Sequence, residues 1–216
     1  MQNKPGEPLS REAGLAWLVS RIRQRAGRTI VAIDGVDGAG KTTFAGQLAD
    51  ELTDSGLTVI RVSLDDFLNP AEIRHARGAT SPEGFVDDTY DYERFIDDVL
   101  EPLSCEGCGR YRPKSYDYAT ETPLNPPWQV APDHAVVIVD GMFLHRNRLR
   151  NARGRKVWDL SVWLDVPFEV SVKRLARRDG SPEDPSDARN ARYVDGQRLY
   201  IELANPAERA DVVING

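Results

Sequence analysis

The run GVDGAGKTT, from Gly35 to Thr43, combines glycines with a lysine and two threonines at a spacing that can hold an anion. Glycines let the backbone turn until successive N–H groups face one set of oxygens. A helix starting there adds the positive end of its dipole. Lysine contributes an ammonium that reaches terminal phosphates, and a threonine hydroxyl is an oxygen ligand for Mg2+. The spacing Gly35-x-x-x-x-Gly40-Lys41-Thr42 matches the phosphate-binding loop, which requires a strand before it and a helix after it. The expected ligand is ATP with Mg2+. Its contacts are Gly35, Asp37, Gly38, Ala39, Gly40, Lys41, Thr42 and Thr43, the last adding a phosphate hydrogen bond.

A bound Mg2+ also needs a carboxylate at the end of a neighbouring strand. VVIVDG offers Asp140 and VWLDV offers Asp165. Asp140 follows the purer apolar run and precedes an irregular stretch, so it is the expected partner of the ion together with Thr42. Asp165, before Pro167, reads as the cap of the next helix. A third carboxylate closes a strand in VSLDDFLNP, where Asp65 stands at the C-terminal end. Ligands of parallel sheets gather at those ends. A carboxylate there can accept the proton of an attacking hydroxyl. Asp65 is therefore the expected general base, with Lys41 the second catalytic group. The plainer reading makes Asp65 and Asp66 the cap of a helix starting at Phe67.

These residues need elements to position them. Residues 10–25 read as a helix capped by Ser10, with Leu15, Leu18, Val19 and Ile22 on one face. Residues 28–34, 58–63, 135–140, 159–166 and 210–215 read as short buried strands. Phe44, Leu48 and Leu52 mark a helix after the glycine loop. Residues 67–95 read as loop with short helical pieces, 92–103 as a helix, and 110–130 as extended. Val170, Val172 and Leu175 are expected to face inward from a helix over 167–178. The polar stretch 179–190 reads as a flap before a last helix ending near Leu203. Alternating strands and helices imply a parallel sheet covered on both faces. The expectation is an α/β, P-loop NTPase-type fold in one domain over 1–216, with an acceptor-binding insertion at 67–130 and a mobile lid at 179–195.

Composition narrows the partners. Lys and Arg number 28 against 34 Asp and Glu, a net charge of −6, which disfavours a broad nucleic-acid surface. No apolar run approaches the ~20 residues of a membrane span. The N-terminal MQNKPGEPLSREAG lacks the apolar core of a secretory signal, so a soluble, cytoplasmic protein is expected. Cys105 and Cys108 form a lone CxxC without a second pair and read as reduced loop thiols. His75, His134 and His145 lack ligand spacing and read as surface residues. Trp128, Trp158 and Trp163 read as core or loop anchors. A GTPase would carry Asn-Lys-x-Asp after a strand, yet the chain's Asn-Lys pair is Asn3-Lys4, ahead of the fold. A Ser-Gly-Gly-Gln transporter signature is also missing, which leaves a small-molecule kinase.

Beyond the loop, the chain carries SLDDF, SPEGF followed by DDTYDY, the YDY of 116–118, VDGMFL, WDLSVWLDVP, RLARRD and RYVDGQRLYIE. With these it resembles the uridine kinase and phosphoribulokinase-like branch of P-loop kinases from residue 28 onward, above all bacterial uridine kinase-like proteins. The resemblance implies that Asp65 serves a 5′-hydroxyl and touches Mg2+. It implies that Asp88, or its neighbour Asp87, bonds a ribose diol from the segment after Phe85, with Tyr116 against the base. It makes RLARRDG…ARNARY a lid, with Arg178 near the acceptor and Arg174, Arg189 and Arg192 candidates for ATP phosphates. For at least half of those arginines a solvated helix face is the better reading. YDYATET offers Glu121 where uridine kinases place a base-reading histidine, and Pro182 and Pro185 replace arginines of the flap. The reading is an ATP- and Mg2+-dependent kinase of a nucleoside hydroxyl, uridine for example. A non-nucleoside alcohol such as pantothenate or a sugar, or a nucleotide-binding regulatory protein, are the alternatives. The partner is a small molecule, and a homo-oligomer is left open.

Overall fold

The computed structural model describes residues 7–149 and 157–216; the first six residues of the N-terminal stretch read above lie outside the described residues. Five strands form one parallel sheet: β1 (Thr29–Gly35), β2 (Val59–Ser63), β3 (Val136–Asp140), β4 (Leu160–Asp165) and β5 (Val212–Asn215). Their order is β2-β3-β1-β4-β5. All seven residues of β1 are buried, as a central strand covered on both faces demands. Its apolar, β-branched run suits that position.

Register decides what the sheet presents. Ile33 of β1 and Ser63 of β2 both align with Asp140 of β3, so these three strands end on one edge. The phosphate loop, Asp140 and the turn carrying Asp65 leave the sheet there.

Six helices matter for the site: α1 (Arg11–Ile22), α2 (Lys41–Asp54), α3 (Pro82–Asp88), α4, α5 (Phe168–Asp179) and α6 (Ala191–Ala204). Helix α4 is built from Tyr92–Phe95, Ile96–Leu100 and Glu101–Leu103, with its middle turn wound as a π-helix. Ser10 caps α1 by accepting from the Ala13 N–H. Phe44, Leu48 and Leu52 on α2 are fully buried, which removes some 1.5–3 kcal/mol worth of apolar side chain from water at each. Residues 110–130 form two short ribbons, Arg110–Tyr111 with Gln129–Val130 and Tyr116–Asp117 with Thr122–Pro123. Among the described residues no helix is long and apolar enough to cross a membrane.

Several expectations change. The polar stretch read as a flap over 179–190 lies between α5, which runs to Asp179, and α6, which starts at Ala191, so residues 191–195 of the expected lid are helical. The stretch between them is held by its own polar side chains. Asp179, Asp184 and Asp187 accept the backbone N–H groups of Ser181, Ser186 and Arg189. Buried Asn190 donates to the carbonyls of Pro182 and Asp184. Val170 faces out, whereas Val172 on the same helix is buried. Asp165 does not cap α5, which starts after Pro167 without a side-chain cap. Trp158 and Trp163 are buried, while half-exposed Trp128 lies under Arg112 at 4.2 Å. His145 is buried rather than on the surface, whereas His75 and His134 are exposed.

Candidate active site

The loop between β1 and α2 turns through two left-handed glycines, Gly38 (φ +76°) and Gly40 (φ +85°). Side chains rarely adopt these angles. Gly38 also has no room for a Cβ, which would lie 2.6 Å from the Ser171 carbonyl oxygen. Lys41 folds over the loop and donates to the carbonyls of Gly35 (3.1 Å) and Val36 (2.9 Å). The Thr42 hydroxyl donates to Asp140 Oδ2 at 2.8 Å, joining the loop to the end of β3. Arg61 donates to the Thr42 carbonyl (3.1 Å) and stands 3.8 Å from Asp140 Oδ1. Burial pushes the Asp140 carboxyl above its ordinary range, and the charge of Asp65 adds to this. The Thr42 hydrogen bond, Arg61 and Lys41 pull it down. Asp140, Asp65 and Lys41 thus share one electrostatic neighbourhood.

Asp65 lies in the 3-10 turn Leu64–Phe67 that follows β2. The cap of that turn is Ser63, whose hydroxyl accepts from the Asp65 N–H. The Asp65 carboxylate is therefore not spent as a cap. It is exposed and accepts a hydrogen bond from the buried Tyr90 hydroxyl at 2.7 Å. Tyr90 is set in place because residues 67–69 pair with 89–91: Asn69 N–H donates to Thr89 and Asp91 N–H to Phe67. Burial, then the charge and hydrogen bond of Asp65, push the Tyr90 phenol well above its usual value, so it stays a neutral donor. Asp66 is turned inward, and its carboxyl is raised by burial against the opposing pull of Lys114.

The residues expected to face an acceptor gather in two ion networks. Asp87 meets Arg146 (2.5 Å) and Arg77 (3.1 Å), and Asp88 meets Arg77 (3.0 Å). Burial works to raise the Asp87 carboxyl, but the two guanidiniums outweigh it and hold it below the ordinary range. Phe85 is buried edge-on between Phe143 (5.3 Å) and Tyr193 (5.0 Å), where it fixes α3 against α6. In the second network Tyr116 donates to Glu121 at 2.9 Å, and Arg74 grips the same carboxylate at 2.6 Å. Glu121 holds a left-handed φ of +50°. The Ser115 N–H donates to the Asp66 carbonyl, which docks this ribbon beside the Asp65 turn.

The lid arginines separate. Arg174 donates to the Gly38 carbonyl at 3.4 Å, beside the loop. Arg178 lies 3.7 Å from Asp37 and 3.1 Å from Asp179, which places it against the loop as well. Arg189 pairs with Asp187 in its own turn. Arg192 is buried, and it donates to the carbonyls of Gly78, Ser81 and Arg74. Its hydrogen-bonding capacity is used to anchor the 74–81 segment, which corrects its reading as a phosphate ligand.

Sequence reasoning missed a buried cluster under the loop. Asp34, with no solvent exposure, accepts from the Gly35 N–H (2.8 Å), the His145 N–H (3.1 Å), His145 Nδ1 (2.8 Å) and the Tyr200 hydroxyl. Gln197 of α6 accepts from the Asp37 N–H, so α6 braces the loop twice. The contacts of His145, Gln197 and Tyr200 join residues 111 to 166 positions apart, beyond the reach of any local pattern.

Known proteins resemble this chain in sequence and in fold. The sequence profile of the Phosphoribulokinase / Uridine kinase family matches residues 30–183. Uridine kinase of Leuconostoc citreum (strain KM20) is 25% identical over 192 residues, covering 86% of each chain. Thymidylate kinase of Bordetella petrii is 31% identical over 157 residues, covering 68% of this chain and 67% of that protein. The solved structure of a possible uridine kinase from Bacillus stearothermophilus superimposes with a TM-score of 0.72 at 23% identity, over 94% of this chain and 98% of that one. The chain is a kinase and belongs to the Phosphoribulokinase / Uridine kinase family.

Proposed function

We propose that this kinase moves the γ-phosphoryl group of ATP to the 5′-hydroxyl of a nucleoside such as uridine. The observation that carries the reading is the Asp65 carboxylate. It is solvent-facing at the end of β2, fixed by Tyr90, and close enough to Asp140 to act on its charge. In the proposed step Asp65 takes the proton of the acceptor hydroxyl as its oxygen bonds to the γ-phosphorus. The bond from that phosphorus to the β–γ bridging oxygen breaks, and ADP leaves. The loop N–H groups and Lys41 hold the phosphates and offset charge that builds up during transfer. Asp87, kept ionised by Arg146 and Arg77, and Asp88, held in place by Arg77, present acceptors to a diol.

Thr42 and Asp140 fit Mg2+, and Asp65 extends the same oxygen set. The fit rests on a buried carboxylate whose charge burial disfavours, bonded to a hydroxyl of the loop. Among the described residues no group of three His, Cys, Asp or Glu side chains could hold an ion unaided. That suits Mg2+, which binds through one or two carboxylates plus substrate phosphates. When bound, it neutralises charge on the transferring group.

One observation favours a second acceptor class, a non-nucleoside alcohol such as pantothenate or a sugar. Where the resemblance leads one to expect a histidine reading the base, Glu121 is paired with Arg74 and hydrogen-bonded by Tyr116. An ADP-release screen with Mg-ATP over nucleosides, pantothenate, nicotinamide riboside and sugars separates the two. Nucleosides are expected to stimulate release most strongly. Stimulation by a non-nucleoside alone moves the acceptor to the second class. Slow release indifferent to every acceptor sinks the transfer reading and leaves a nucleotide-binding protein.

A further inference from the structure

Among the described residues, two arginines meet the phosphate loop without a carboxylate partner. Arg11, at the start of α1, donates through Nη2 to the Gly40 carbonyl (3.2 Å) and through Nε to Gln47 (3.1 Å). Its guanidinium covers Gly40 on the side where a Cβ would stand, 3.7 Å from both terminal nitrogens. The same group covers the Phe44 ring at 5.3 Å. Arg174 approaches from α5 and donates to the Gly38 carbonyl. Arg61 and Arg178 nearby have carboxylate partners, whereas the recorded partners of Arg11 and Arg174 are carbonyl oxygens and the Gln47 amide. Residues 1–6 and 150–156 contain no Asp or Glu that could supply one.

Two like charges drawn together without a counter-ion cost free energy until an anion joins them. Burial, and then the charge of Arg174, lower the basicity of Arg11. Their place narrows the anion. Arg11 covers Phe44 in the first turn of α2, the helix whose positive N–H end draws the phosphates seated on the loop.

We propose that Arg11, with Arg174, binds the α-phosphate of the donor nucleotide where it emerges from the loop. Arg11 lies outside the stretch matched by the family profile, so α1 adds a nucleotide contact that this stretch lacks. The proposal rests on the reading that the loop takes ATP.

The test is calorimetric titration of the full chain with ATP and with ADP, without acceptor, at several KCl concentrations. Arg11→Ala is expected to weaken both nucleotides roughly 10–100-fold, the range for a lost charge-assisted hydrogen bond. Arg11→Lys is expected to recover part of the loss. The wild type should lose affinity with salt more steeply than Arg11→Ala. A residue that merely braced Gly40 would not change that slope. Nucleotide affinity within twofold of wild type, or an unchanged salt slope, overturns the proposal while leaving the kinase reading intact. A wild type that binds no ATP removes both. Should Arg11→Ala fail to fold, Arg11→Lys and Arg174→Ala carry the same comparison, and unchanged affinity in both overturns it.

Discussion

Asp65→Asn lowers turnover roughly 10²–10⁴-fold and leaves ATP binding within a few-fold of wild type, the expected effect of removing a general base. The substitution is isosteric, and an amide oxygen still accepts the Tyr90 hydroxyl that now bonds Asp65 at 2.7 Å. Folding stability should therefore hardly change, because Asp65 is exposed and Ser63 supplies the cap. Loss of kcat with an unchanged KM for ATP would mark an interaction made only as the hydroxyl attacks. Turnover at the wild-type rate would remove Asp65 from the chemistry. Tyr90→Phe adds a check: it leaves the carboxylate in place but untethered, so its loss should be smaller than that of Asp65→Asn.

The second large effect is on stability. Asp34→Ala removes the acceptor of the Gly35 N–H, the His145 N–H, His145 Nδ1 and the Tyr200 hydroxyl, all of them buried. A buried donor without a partner costs about 1–3 kcal/mol, and losing one member of a buried charged network costs about 3–5 kcal/mol in total. In a chain of this length 1 kcal/mol moves Tm by roughly 2–4 °C, so Tm should fall by about 10 °C or more. Tyr200→Phe, which deletes one of the four donors, should cost only about 1 kcal/mol. Urea unfolding of both variants checks the ranking. A loss below about 1 kcal/mol for Asp34→Ala would show that the loop does not lean on this cluster.

The contrast between these two residues explains what the sequence could reveal. Asp65 was legible because its position is local: an apolar strand ends, a carboxylate follows, and parallel sheets bind ligands at such ends. The loop glycines, Lys41, Thr42 and Asp140 were legible for the same reason, each being fixed by its own strand or helix boundary. Asp34 carries no such mark. It reads as one more residue of a strand, and its partners arrive from 111 and 166 positions away. His145 is buried although the sequence reads it as a surface residue, because an isolated histidine has no periodicity to reveal a buried carboxylate beside it. The lid arginines show the limit from the other side. Arg174 and Arg192 look alike in sequence, yet one touches the loop and the other is spent on three backbone carbonyls.

The most direct test is a crystal structure with a non-hydrolysable ATP analogue, Mg2+ and the acceptor found by the screen. The account predicts an Asp65 carboxylate oxygen within about 2.6–3.2 Å of the acceptor hydroxyl, on the side facing the γ-phosphorus. An acceptor hydroxyl held by another residue, with Asp65 still bonded to Tyr90 and turned from the phosphorus, would contradict it.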